Sequence, residues 1–233
     1  MTSPVILAVD TSDFDTARAW IEATRESIDI YKLGLEFYLT FGSKGIETIQ
    51  KESGASIFLD LKLHDIPNTV KKSAGVVDHL HPRFLTVHAS GGRAMVAAAV
   101  EAVTETSITA VTVLTSLSDG DLSELGFAHT TLPTAVSMAQ VATSAGARSL
   151  VCSPHEIAAI RAVIDPSVEI ITPGVRPGDE VGGDDQVRTM TPAQAIELGA
   201  NFLVIGRPIT SRWSQGPAAM ASRAAEIVSS IHS

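Results

Sequence analysis

Two rhythms of apolar residues alternate along the chain. One is a short run rich in Val, Ile and Leu, usually bounded by Gly, Ser, Asp or Pro. It occurs as VILAVD from Val5, IYKLGLEF from Ile30, SIFLDLKL from Ser56, FLTVHAS from Phe84, ITAVTVLT from Ile108, ARSLVCS from Ala147, EIITPGV from Glu169 and NFLVIGRPI from Asn201. These runs predict β-strands. The other rhythm places apolar residues three and four apart, as in DTARAWIEATRES, GRAMVAAAVEAV, TAVSMAQVATSAG and PHEIAAIRAVI, and predicts helices. Ser153-Pro154 and Thr191-Pro192 each set an N-cap residue before a proline, so a helix starts at both.

Eight strand–helix units in 233 residues predict an α/β fold, a (β/α)₈ TIM barrel forming a single domain over residues 1–233. A doubly wound open sheet is the alternative, because alternation alone does not distinguish the two. No linker or low-complexity segment interrupts the pattern. Two connections are long, SLSDGDLSELGFAHTTLP after strand five and RPGDEVGGDDQVRTM after strand seven. Loops of that length in a compact domain are usually lids or binding loops.

Charge breaks the apolar pattern at a few strand positions. Strands that feed a parallel core are usually near-continuous apolar runs, yet Asp60 and Lys62 sit within strand three, and His64 and Asp65 close it. Side chains alternate along a strand, so Phe58, Asp60 and Lys62 share one face and Ile57, Leu59, Leu61 and Leu63 the other. In a barrel the second face packs on the helices, and the first brings Asp60 and Lys62 to the C-terminal mouth, where barrel enzymes carry their chemistry. Strand two repeats the device with Lys32, Gly34 and Glu36 on one face, and strand one ends in Asp10. A structural ion pair of Asp60 with Lys62 or Lys32 is the plainer reading, but Asp10, Lys32, Asp60 and Lys62 together exceed what one pair requires.

A second group follows strands seven and eight, the usual phosphate-binding position in barrels. Arg176 and Arg207 supply charged, forked donors there, and Gly206 lets backbone N–H approach an anion. Other candidates carry less. His79 and His81 are spaced like metal ligands but close a helix and face solvent. His88 either faces the mouth or packs against neighbours. Trp20 reads as core, and Trp213 has no assigned role. Ser nucleophile elbows, CxxC sites, Walker loops and GxGxxG are absent from the sequence.

Composition narrows the partners. The net charge of −9, with no basic run, argues against a nucleic-acid polymer or an anionic membrane. A small anion remains compatible with the local donors. No run of 18 apolar residues predicts a membrane span, the N-terminus shows no signal-peptide pattern, and the single cysteine, Cys152, fits a reducing cytoplasm.

The string DLKLHDIPNTV, Asp60 to Val70, resembles the signature of the orotidine 5′-monophosphate decarboxylases in their bacterial form. LAVD, KLGLEFYLTFG, TVHASGG, VTVLTSL, TPGVRPGDE, DDQVRTMTP and VIGRPI extend the resemblance over nearly the whole chain. It implies decarboxylation of orotidine 5′-monophosphate to uridine 5′-monophosphate in pyrimidine synthesis, without metal or organic cofactor, by a cytoplasmic homodimer with shared active sites. It further implies a catalytic tetrad of Lys32, Asp60, Lys62 and Asp65, with Asp65 reaching in from the partner subunit and Lys62 donating the proton to C6. Asp10, Lys32 and, across the interface, Thr69 would hold the ribose. Thr115 and Ser116 would lie against the pyrimidine, and Gln186, Arg207 and the Gly206 backbone would take the phosphate beside Arg176. The shorter core Asp-x-Lys-x-x-Asp also occurs in related barrels acting on sugar phosphates. The alternative is therefore an Mg²⁺-dependent sugar-phosphate decarboxylase or lyase, which would call for an acidic metal-binding set in place of the two lysines. A non-catalytic nucleotide-binding barrel is a third reading, opposed by the filled catalytic positions.

Overall fold

A computed structural model describes residues 3–178 and 190–231. Its eight strands are β1 Val5–Ala8, β2 Ile30–Gly34, β3 Ser56–Leu63, β4 Phe84–His88, β5 Ser107–Val111, β6 Ser149–Val151, β7 Glu169–Pro173 and β8 Phe202–Ile205. All pair in parallel with their sequence neighbours, and β1 also pairs with β8 in the register Val5↔Leu203, so the sheet closes. That closure rejects the open doubly wound alternative. The helices among the described residues are α1 Phe14–Thr24, α2 Leu35–Ser53, α3 Pro67–Asp78, α4 Gly92–Val100, α5 Asp119–Glu124, α6 Thr131–Ser144, α7 Ile157–Arg161, α8 Pro192–Glu197, α9 Arg207–Thr210 and α10 Pro217–Ser230.

The strand alternation sorts the core into two compartments. Ile57, Leu59 and Leu61 belong to the large cluster shared with the helices, which also takes Trp20 and Trp213 at its edge. Ile6, Ile30, Phe58, Phe84, Ile171 and Phe202 form a separate cluster inside the barrel. Arg83 closes its floor. The guanidinium lies 5.0 Å from the Phe84 ring centroid and 4.8 Å from that of Phe202, and pairs with Glu169 at 3.3 Å.

The helix starts follow their caps. Ser153 accepts from His155 N while Glu156 accepts from Ser153 N, ahead of a 3₁₀ turn, Pro154–Glu156, that leads into α7. Thr191 and Gln194 make the same reciprocal pair before α8. Two expectations are corrected. Strand two stops at Gly34, so Glu36 lies in the first turn of α2 rather than on the strand face with Lys32. The connection after strand five is not all loop, because Ser118 and Asp121 cap the short helix α5. Most of the long connection after strand seven, with Gln186, lies outside the described residues.

Candidate active site

The mouth holds a continuous chain of opposite charges. Asp10 follows β1 by two residues rather than ending it, and is held there as Val9 N donates to Lys32 O at 3.0 Å. Lys32 Nζ donates to Asp10 Oδ1 at 3.0 Å and lies 3.6 Å from Asp60 Oδ2. Lys62 Nζ donates to both Asp60 oxygens, at 2.8 and 2.9 Å. Asp60 and Lys32 side chains are each 13% exposed, whereas Lys62 is 32% exposed and thus more open to a ligand. A cavity of about 220 Å³ opens above them, with Phe58 and Val111 among its apolar walls and Thr115 on its rim.

Geometry alone does not decide the charge on Asp60; the balance of forces does. Burial is the largest single influence and favours the neutral acid. Together the Lys32 and Lys62 charges, with hydrogen bonds from Lys62 and Thr86, outweigh it and hold the carboxyl below its ordinary value. Asp60 is therefore an anion at neutral pH, bridging two ammonium groups.

β3 is distorted to achieve this. Its register with β4 shifts between Leu59 and Leu63, and Lys62 takes a left-handed φ of +50°. That conformation costs a side-chain-bearing residue about 1–2 kcal/mol. Thr86 of β4 offsets part of the cost. Its hydroxyl accepts from Lys62 N at 2.8 Å and donates to Asp60 Oδ1 at 3.0 Å, fixing both residues. Sequence reading passed over Thr86, yet the signal was present: in FLTVH the alternation that sends Phe84 inward also sends Thr86 and His88 inward. His88 thus faces the mouth. Its ring centroid lies 5.3 Å from that of His64. Burial, then the His64 and Lys62 charges, hold its pKa below the usual histidine value, with Asp60 opposing.

The remaining sequence candidates separate by place. Asp65 and Thr69 lie on the exposed segment after β3, and the Asp65 carboxylate accepts from Ile66 N at 2.6 Å. Among the described residues Asp65 joins no ion pair. Thr115 reaches the cavity, whereas Ser116 is exposed beside it. Arg207 is exposed at the start of α9, and a Cβ on Gly206 would come within 3.3 Å of Ala8 Cβ. Arg176 donates to Val175 O at 3.1 Å, and its backbone N–H to Met190 O at 3.0 Å, so the two described ends of the long connection meet there. Gln186 lies outside the described residues. His79 and His81 are exposed. Among the described residues no three His, Cys, Asp or Glu side chains are grouped to hold a metal.

Residues 3–223 match the family described as Orotidine 5'-phosphate decarboxylase / HUMPS family. A relative from Thermobifida fusca, named Orotidine 5'-phosphate decarboxylase, is 48% identical over 227 residues, covering 97% of each chain. One of the same name from Sphingopyxis alaskensis is 46% identical, covering 90% of this chain and 93% of its own. The crystal structure of orotidine 5'-phosphate decarboxylase from Lactobacillus acidophilus superposes with a TM-score of 0.82 at 31% identity, covering 97% of this chain and 99% of that one.

Proposed function

The chain belongs to the orotidine 5′-phosphate decarboxylase / HUMPS family, and from that membership we propose that it decarboxylates orotidine 5′-monophosphate to uridine 5′-monophosphate with its own side chains as the only catalytic groups. The observation that carries this reading is Asp60 bridging Lys32 and Lys62 on the floor of an open cavity. An acidic set in place of the two lysines would have favoured the Mg²⁺-dependent sugar-phosphate chemistry; strand two instead carries Lys32.

The chemistry follows from the charges. Breaking the bond between C6 and the carboxylate carbon leaves its electron pair on C6. The Lys62 ammonium stabilises that charge and then gives C6 a proton, becoming neutral until solvent recharges it. A donor already in position needs little reorganisation, which is why such preorganised charge is effective. Asp60 accepts from Lys62 Nζ with both oxygens and so keeps the ammonium aimed. Its lowered pKa supports this, because only the anion can do so. The alternation of Lys and Asp keeps the array near neutrality and limits its desolvation cost. Asp10 and Lys32 hold the ribose hydroxyls, Thr115 and Ser116 border the pyrimidine, and Gln186 and Arg207 with the Gly206 backbone take the phosphate, beside Arg176.

The reading extends to the assembly. Asp65 and Thr69 serve the neighbouring subunit's site in a homodimer. Both are exposed rather than turned into their own cavity. Leu35, Leu39 and Ile66, which follow β2 and β3 at the mouth end, are large exposed apolar residues of the kind a partner covers. Residues 1–233 act as one domain in the cytoplasm, and among the described residues no helix is long and apolar enough to cross a membrane. The test is to follow the loss of orotidine monophosphate absorbance with purified protein before and after dialysis against a strong chelator. An unchanged rate is expected; a large loss restored by Mg²⁺ would favour the sugar-phosphate alternative.

A further inference from the structure

Arg223 lies on α10, outside the barrel, and does not line the cavity. Its side chain is nevertheless only 6% exposed. Folds rarely withdraw a guanidinium from water without partners that use its donors. Nη1 donates to Glu226 Oε2 at 2.9 Å, but Glu226 is 65% exposed, and an ion pair at such a surface contributes little. Nε is directed elsewhere, to the backbone oxygen of Pro208 at 3.4 Å.

That carbonyl belongs to the segment carrying the proposed phosphate donors. Pro208 directly follows Gly206 and Arg207, and α9 is only four residues long. A helix of one turn does not hold its own shape, so its position is set by what it packs on. From the barrel side, Ala8 lies against Gly206, close enough that a Cβ there would be 3.3 Å from Ala8 Cβ. From the helix side, Arg223 holds Pro208. Gly206 and the exposed Arg207 thus belong to a segment contacted at both faces.

We infer that Arg223 is a positioning residue for phosphate recognition: through the Pro208 carbonyl it fixes the turn that presents Gly206 and Arg207 to the substrate phosphate. The inference rests on the phosphate role given to those two residues above.

The experiment compares wild type with Arg223→Met, Arg223→Lys and Arg207→Ala. It reads kcat and KM for orotidine monophosphate, and inhibition by uridine monophosphate and by uridine. Arg223→Met should raise KM and weaken uridine monophosphate about tenfold, the size of one charge-assisted contact. Uridine inhibition and kcat should stay within about twofold, because the Gly206–Arg207 turn is assigned to the phosphate alone. Arg223→Lys, which keeps the charge but loses the fork, should recover part of the loss, and it carries the test if the methionine variant does not fold. Selective weakening of the phosphorylated ligand by both Arg207→Ala and the Arg223 variants supports the inference. If Arg207→Ala is selective while the Arg223 variants weaken uridine equally, lower only the active fraction, or change nothing, Arg223 is structural and the inference is wrong. If Arg207→Ala itself fails to discriminate the two ligands, the phosphate assignment falls first and the inference with it.

Discussion

In the proposed mechanism Lys62 concentrates the chemistry in one ammonium group, which is carried on a strained, left-handed backbone. Lys62→Ala removes both the proton donor and the charge facing C6, so turnover should fall by at least ~10²–10⁴-fold, the usual worth of general acid catalysis alone. Steady-state assays on variant protein with unchanged circular dichroism check this; retention of a tenth of the activity would remove Lys62 from the role. Thr86 makes the complementary case. Thr86→Val keeps the shape but leaves Lys62 N without its acceptor and removes one of the donors to Asp60 Oδ1. An unsatisfied buried donor costs about 1–3 kcal/mol, and the loss should appear both as a lower unfolding free energy in urea and as a lower kcat. Activity lost with full stability retained would mean that Thr86 does not support the strained backbone.

At the scale of elements, the start of α7 carries a titratable device. Glu156 is the third residue of its cap, is buried, and accepts from Ser153 N at 2.9 Å. Burial pushes its pKa up from 4.5 to about 7, against the opposing Ser153 hydrogen bond. A carboxyl that is harder to ionise folded than unfolded stabilises the fold fully below its unfolded pKa, and that contribution is lost as pH rises through the folded value. The contribution of Glu156 should therefore decline between pH 4.5 and about pH 7. Glu156→Gln keeps a carbonyl acceptor without the titration, so its unfolding free energy should fall less than that of wild type across the same window. Parallel urea titrations at several pH values decide it, and identical slopes would show that Glu156 does not titrate in that range. Elements also explain why the sequence pattern misplaced Glu36. The apolar run from Ile30 continues past Gly34, but the chain turns there into α2, and periodicity over so short a stretch does not distinguish strand from helix.

On the scale of the whole molecule, the proposed site takes Asp65 from a second chain. A two-fold dimer repeats each contact, so in that proposal every subunit lends its Asp65 and borrows another. Mixing Lys62→Ala with Asp65→Ala, each inactive alone, puts both defects in one site of a hybrid dimer and leaves the other intact. Random exchange makes about half the dimers hybrid with one working site each, so activity should recover to roughly a quarter of wild type. No recovery after verified subunit exchange would return Asp65 to its own chain's site.

The alternation of apolar runs and helical periods by itself determined the eight units and their order, because burial against helices on one side and a packed interior on the other demands that rhythm. It also marked Asp10, Lys32, Asp60 and Lys62, since charge inside an apolar strand is costly and stands out. The GRP turn after strand eight was marked only as a candidate, from residue types that recognise anions. Tertiary structure decided that β1 meets β8, a pairing between segments nearly two hundred residues apart that local pattern does not encode. It decided that Asp60 lies between both lysines, and that Thr86 binds the strained backbone of Lys62. It also turned His88 into the mouth and set Arg223 behind Pro208. Each of these depends on the register and direction of neighbouring elements, which are fixed only when the barrel closes and all its strands settle their spacing together.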